Sequence, residues 1–435
     1  MLPDHRESVV SMFDEIDFFT DKSIVENPYP YFESLRARCP VAREPHHGVL
    51  AVTGYDAAVE VYRKHETFSS CIAPTGPFPG LPFDPAEGDI AALIEKHREA
   101  FPLHEHMVTF DQPKHTMHRD LLKALFTPRR LRENEEFMWV QADRMLDEFI
   151  GQGRVEFLRN YAQPFAMLVI ANLLGVPEED FLEFRRVLSN TTPPGAIDDE
   201  VMVGNPLEFL AERFTGYLTE RRREPGSDVL SALASARFPD GSLPEVADLV
   251  HLASFLFAAG QETTAKLMTA GLRVLAENSE LQDELRADID RIGSFVEECL
   301  RLEAPVKTDF RLACEATTLG GVEVPAGSMV MVLPGAANRD PSRFENPGEF
   351  VLDRPNAREH ISFARGIHTC PGGPLARMES RVSFERILHR MRDIRISETD
   401  HGPAGARNFG YEPTYVLRGL SSLHIEFTPV GTDAK

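Results

Sequence analysis

Cys370 is one of five cysteines in the 435-residue chain, and it lies in the run Phe363-Ala-Arg-Gly-Ile-His-Thr-Cys-Pro-Gly-Gly-Pro-Leu-Ala-Arg377. Pro371 and Pro374 suit the first turn of a helix, where backbone N–H groups have no intrahelical acceptor, and good helix formers follow. The spacing therefore predicts Cys370 at or beside a helix N-cap. There the helix dipole and the free N–H groups favour an anionic thiolate, which can bind a metal. Gly366, Gly372 and Gly373 would let the backbone approach something flat and large, with Phe363 as an aromatic wall. The plainer alternative is a buried, inert cysteine beside a glycine loop.

Two further stretches could do chemistry. Asp111-Gln-Pro-Lys-His115-Thr-Met-His-Arg119 opens a helix at a proline, and His115 and Arg119, four apart, share a face that suits a carboxylate. A long helix from Pro244 to about Arg273 is mostly apolar from Leu249 onward, except for Gly260-Gln-Glu-Thr-Thr264 in its middle. Glycine in a helix interior costs up to ~1 kcal/mol relative to alanine, and threonine is a weak helix former. Such a patch needs a reason. Glu262 beside Thr263, an acid in apolar surroundings, suits proton delivery; alternatively, Gly260 permits tight helix packing and Thr263 bonds back to the Ala259 carbonyl.

Together these stretches resemble the cytochrome P450 family. In the haem-binding loop of that family the matching positions are Phe363, Gly366, His368, Cys370, Gly372, Leu375, Ala376 and Arg377. The resemblance implies that Cys370 is the proximal ligand of haem iron, a ligand type that favours O–O cleavage. It also implies that Phe363, Gly372 and Ala259 lie against the haem, and that His115, Arg119, Arg311 and His368 hold its propionates. Ala259-Gly260-Gln-Glu-Thr-Thr264 resembles the family's dioxygen-groove motif, with Thr263 and Glu262 as catalytic residues; the best-known members carry Asp where this chain has Glu262. Glu298-Cys-Leu-Arg301 resembles the family's structural Glu-x-x-Arg, with Arg354 as third member. These motifs run from about residue 105 to 380.

The implied fold is mainly α (α+β), one domain over residues 1–435 with small sheets. The haem would lie between a long central helix and the Cys370 loop. The implied activity is a haem-thiolate monooxygenase with haem b, taking electrons from NAD(P)H through a ferredoxin and its reductase. With no clustered cysteine set or flavin motif in the chain, the electrons must come from separate proteins. A peroxide-using or rearranging haem-thiolate enzyme and a non-catalytic haem sensor are the rivals, and neither needs the acid–threonine pair.

Composition bounds the rest. A net charge of −22 argues against general nucleic-acid or anionic-membrane binding. The cysteines show no Cys-x-x-Cys spacing, so neither a disulfide framework nor a zinc cluster is implied. The N-terminus is polar and the longest apolar run, Leu249 to Ala259, is broken by His251 and Ser254, which excludes a signal peptide and a membrane anchor. A cytoplasmic, monomeric protein is expected. From Phe68 to about Phe110, prolines prevent regular structure for much of the length, and long irregular segments are often functional. In the resembled family this region covers the substrate, which makes Phe78, Leu81, Phe83 and Met107 candidate pocket walls, with Phe255, Ala258, Ala259 and Val306 as further contacts. Residues 190–195 read as a break between two helices, which in the resembled family move as a lid over the substrate channel. Lys114, Lys123, Arg129, Arg130 and Arg132 form a basic cluster expected to dock an acidic electron donor.

Overall fold

The computed structural model describes residues 13–188, 195–197 and 206–430; the expected lid break at 190–194 lies outside them. Helices dominate. The central one, Val246–Glu277, starts where Glu245 and Asp248 cap each other's backbone, with Glu245 N donating to Asp248 Oδ2 at 3.1 Å. It continues past the expected end at Arg273 because Leu275 is still buried. It stops at Asn278, whose side chain instead caps the next helix by accepting from Leu281 N at 3.0 Å.

Around the central helix pack Gln163–Leu174, Pro206–Arg223, Ile292–Leu302 and Gly373–Arg390. The last crosses it at Gly271, where a Cβ would come within 2.5 Å of the Phe384 ring, so only glycine allows this approach. Most apolar side chains of these helices merge into one core that includes Phe165, Phe257, Leu272, Phe295 and Phe384, each fully shielded from solvent.

Among the described residues ten short strands complete the fold: β1 (Val41–Arg43), β2 (Leu50–Val52), β3 (Phe68–Ser69), β4 (Arg154–Glu156), β5 (Asp309–Ala313), β6 (Thr317–Leu319), β7 (Val322–Val324), β8 (Met329–Val332), β9 (Met391–Ile396) and β10 (His424–Pro429). Five form a sheet in the order β1-β2-β8-β5-β3, in which only β2 and β8 are parallel. Side chains alternate across this sheet. Ala51 and Met331 enter one core with Phe19 and Phe310, while Leu50, Val52, Val330 and Val332 enter another with Tyr62 and Phe344. The sheet carries Arg311 on β5, opposite Val330 of β8. A second sheet runs β4-β10-β9, and β6 and β7 form a hairpin.

The segment expected to be largely irregular contains a helix, Ile90–Lys96, because Asp89 caps it by accepting from Ala91 N and Ala92 N. Phe83 is core there, not pocket wall: it packs on Phe101 and His97 with ring centroids 6.2 and 5.9 Å apart. Among the described residues no helix is long and apolar enough to cross a membrane.

Candidate active site

The Cys370 loop is closed by Cys370 N donating to Phe363 O at 2.9 Å. The helix that follows starts later than expected. Its N-cap is Gly372 and Pro374 occupies its first turn, so Pro371 and Cys370 precede it. Gly366 sits at φ +73° with a would-be Cβ only 2.3 Å from Tyr62 O, which presses the loop onto the Tyr55–Arg63 helix. The thiolate expectation is corrected: burial pushes the Cys370 thiol above its usual value, although hydrogen bonds from the Gly372 and Gly373 backbone and the charges of Arg119 and Arg377 pull the other way. A bound cation would reverse this, because coordination deprotonates a thiol outright.

Above the loop converge the predicted anion binders. His115 is 1% exposed and, among the described residues, neither of its ring nitrogens has a partner; His368 Nε2 is also buried without one there. Burial, then the charge of Arg119, holds His115 down to about 4, while burial and the charge of Arg311 hold His368 well below its usual value. Both rings are therefore neutral beside two guanidiniums. Arg119 donates to Thr369 O at 2.6 Å, and Arg311, 3% exposed, donates to Asp309 Oδ1 and Phe310 O, each at 2.6 Å. Buried polar atoms ordinarily have partners, and these orphans in a positive surrounding fit the two propionates of a porphyrin.

On the central helix both flanks are buried, whereas residues 258–263 are all accessible, Ala259 most clearly. The Thr263 hydroxyl donates to Ala259 O at 2.8 Å, the back-bond that the alternative reading anticipates. Gly260 does not match that alternative: a Cβ there would meet Ile170 at 3.5 Å, an ordinary contact, so helix packing alone leaves room for alanine. Glu262 is bonded by Lys266 Nζ at 3.0 Å.

The expected structural triad is present. Arg301 donates to both oxygens of Glu298 at 2.7 and 2.8 Å, and Arg354 Nε to the same two at 3.0 and 3.2 Å. Arg301 also reaches Asn338 O, Pro347 O and Glu349 O, which pins the chain ahead of the cysteine loop. The sequence reading missed Glu297. It accepts from Arg377 Nε at 2.6 Å and lies 3.0 Å from His360 Nε2, while Arg377 stacks on Phe363 at 4.6 Å. Only its place beside Glu298 hinted at a role. The basic cluster is partly offset by its own neighbours: Arg129 and Arg130 share Glu133, and Lys123 pairs with Asp120.

The family model for cytochrome P450 matches residues 206–403. A solved structure of Mycobacterium marinum cytochrome P450 CYP150A6 in its substrate-free form is 57% identical, with a TM-score of 0.91 over 96% of this chain and 100% of that one. Cytochrome P450 144 of Mycobacterium tuberculosis is 33% identical over 97% of this chain and 94% of its own length. The chain belongs to the cytochrome P450 family. Steroid C26-monooxygenase of Mycolicibacterium smegmatis, 30% identical over 91% of both chains, is another relative. As a P450 the chain is a haem monooxygenase that uses haem b with electrons from NAD(P)H through redox partners.

Proposed function

We propose that this P450 inserts one oxygen atom of O2 into a C–H or C=C bond of a small hydrophobic molecule, a terpenoid, steroid, fatty acid or aromatic. The hydroxylation balances as R–H + O2 + NAD(P)H + H+ giving R–OH + H2O + NAD(P)+. A ferredoxin and its reductase carry the two electrons, and the protein works as a cytoplasmic monomer folded as one domain. The relative named as a steroid C26-monooxygenase supports the substrate class, as do Phe255 and Ala258 on the central helix before Thr263.

Cys370 would hold the iron, His115, Arg119, Arg311 and His368 the propionates, and Phe363, Gly372 and Ala259 the faces of the porphyrin. Haem, when bound, supplies dioxygen activation. Glu262 takes protons from solvent and passes them toward Thr263, whose hydroxyl must leave the Ala259 carbonyl to donate elsewhere. The observation that carries this reading is the accessible polar stretch within a helix buried on both sides of it. In Thr263→Ala, NADH consumption is expected to continue while product falls and hydrogen peroxide rises. Unchanged product would favour the peroxide-using or rearranging reading, because the back-bonded hydroxyl is then idle.

A further inference from the structure

Lys266 lies on the central helix one turn beyond Glu262, and its side chain is 2% exposed. Its ammonium bonds two carboxylates: Glu262 Oε1 at 3.0 Å on its own helix, and Glu412 Oε2, in a closer contact, from the C-terminal segment. That segment is moulded around the lysine stem. A Cβ on Gly419 would come within 2.5 Å of Lys266 Cγ, and Glu412 N donates to Gly419 O at 3.1 Å.

A buried ammonium stripped of its only counter-ion is strongly unfavourable. Were Glu262 that only partner, it could neither take a proton nor turn away without stranding Lys266. Glu412 changes this. The charged groups around it are Lys266, Glu262 and Arg159: burial pushes its carboxyl up, Lys266 pulls it down, the charge of Glu262 pushes it up again, and Arg159 pulls it down. Two carboxylates thus compete for one cation, and a proton on either leaves the other paired.

We propose that Glu412 is a positioning residue for Glu262: it keeps the Lys266 ammonium paired while Glu262 takes a proton from solvent and turns to hand it toward Thr263. The proton enters and leaves at the Glu262 carboxyl, which is restored, and no electrons move in this step. The proposal rests on the reading of Glu262 as the proton-delivering acid.

The test uses the haem-loaded enzyme with its reductase system, measuring product formed per NADH and the solvent deuterium isotope effect. Glu412→Gln leaves Glu262 as the one anion on Lys266, and coupling is expected to fall about tenfold with a larger isotope effect. Lys266→Met removes the buried charge, so it alone, and combined with Glu412→Gln, should couple within about twofold of the parent, a non-additive rescue. Glu412→Asp, which keeps the charge, should also couple well. As a readout apart from turnover, the infrared carboxylate band of Glu262, identified by its loss in Glu262→Gln, should shift in Glu412→Gln and keep its parent position in Glu412→Asp. A scaffold role predicts the reverse, with Lys266→Met at least as damaging as Glu412→Gln and no rescue in the double variant; that result, or no change in Glu412→Gln, overturns the proposal. Normal coupling in Glu262→Gln would instead overturn the reading of Glu262 itself.

Discussion

His115 and His368 pack with ring centroids 4.1 Å apart and their planes tilted by 48°, one from the helix Lys114–Leu121 and the other from the loop that carries Cys370. The contact ties the two elements together, and both rings hold buried nitrogens without partners among the described residues. Two neutral donors beside Arg119 and Arg311 form an anion cradle that exists before any ligand enters it.

Removing part of that cradle should loosen the cofactor without unfolding the chain. A hydrogen bond to a charged group is worth about 1.5–3 kcal/mol, so His115→Ala or Arg119→Ala should weaken haem retention roughly 10- to 100-fold. Transfer of haem to an apo-globin acceptor measures this. Equal transfer rates for variants and parent would remove these residues from the propionate site.

The Glu298 triad should matter to folding and not to chemistry. Glu298 is fully buried with two arginines on it, and taking one partner from such a set costs about 3–5 kcal/mol. Glu298→Gln is expected to lower the unfolding free energy measured in urea by that amount, and the midpoint with it, while the protein that remains folded keeps the parent's product per NADH. A normal midpoint would contradict the buried network.

Acid should act on the neighbouring carboxylate. Burial works to raise Glu297, but hydrogen bonds from His360 and Arg377 and their charges hold it down to about 2, below its ordinary 4.5. A depressed carboxyl stabilises the fold above its unfolded value, and that contribution is lost as pH falls from about 4.5 through about 2. The loss is on the order of 3 kcal/mol. Glu297→Gln, less stable than the parent near neutrality, should lose less over that window in unfolding measured against pH. Parallel pH curves would remove Glu297 as a source of acid sensitivity.

The parts of the site legible in the sequence are those written in short local patterns. Cys370 with its glycines, His115 and Arg119 four apart, and the glycine and threonine break in an apolar helix each state their geometry within one or two turns. The helix after Cys370 starts later than its prolines suggest, with Gly372 as N-cap, because proline suits a first turn but does not fix which residue caps it. What stayed hidden depends on the chain's return. Lys266 meets Glu412 across 146 positions, and Glu297 meets His360 across 63. Nothing near Lys266 separates it from a solvated i,i+4 pair until burial is known. Phe83, which packs on Phe101, is hidden for the same reason: a phenylalanine in a proline-rich stretch looks the same whether it covers a ligand or fills a core.

The most direct measurement is the absorption of the reduced, haem-loaded protein under carbon monoxide, in the parent and in Cys370→Ser. The parent is expected to give the red-shifted band of thiolate ligation, and Cys370→Ser to lose it. A parent spectrum without that band, or a Cys370→Ser protein that keeps it, would contradict ligation of the haem iron by Cys370.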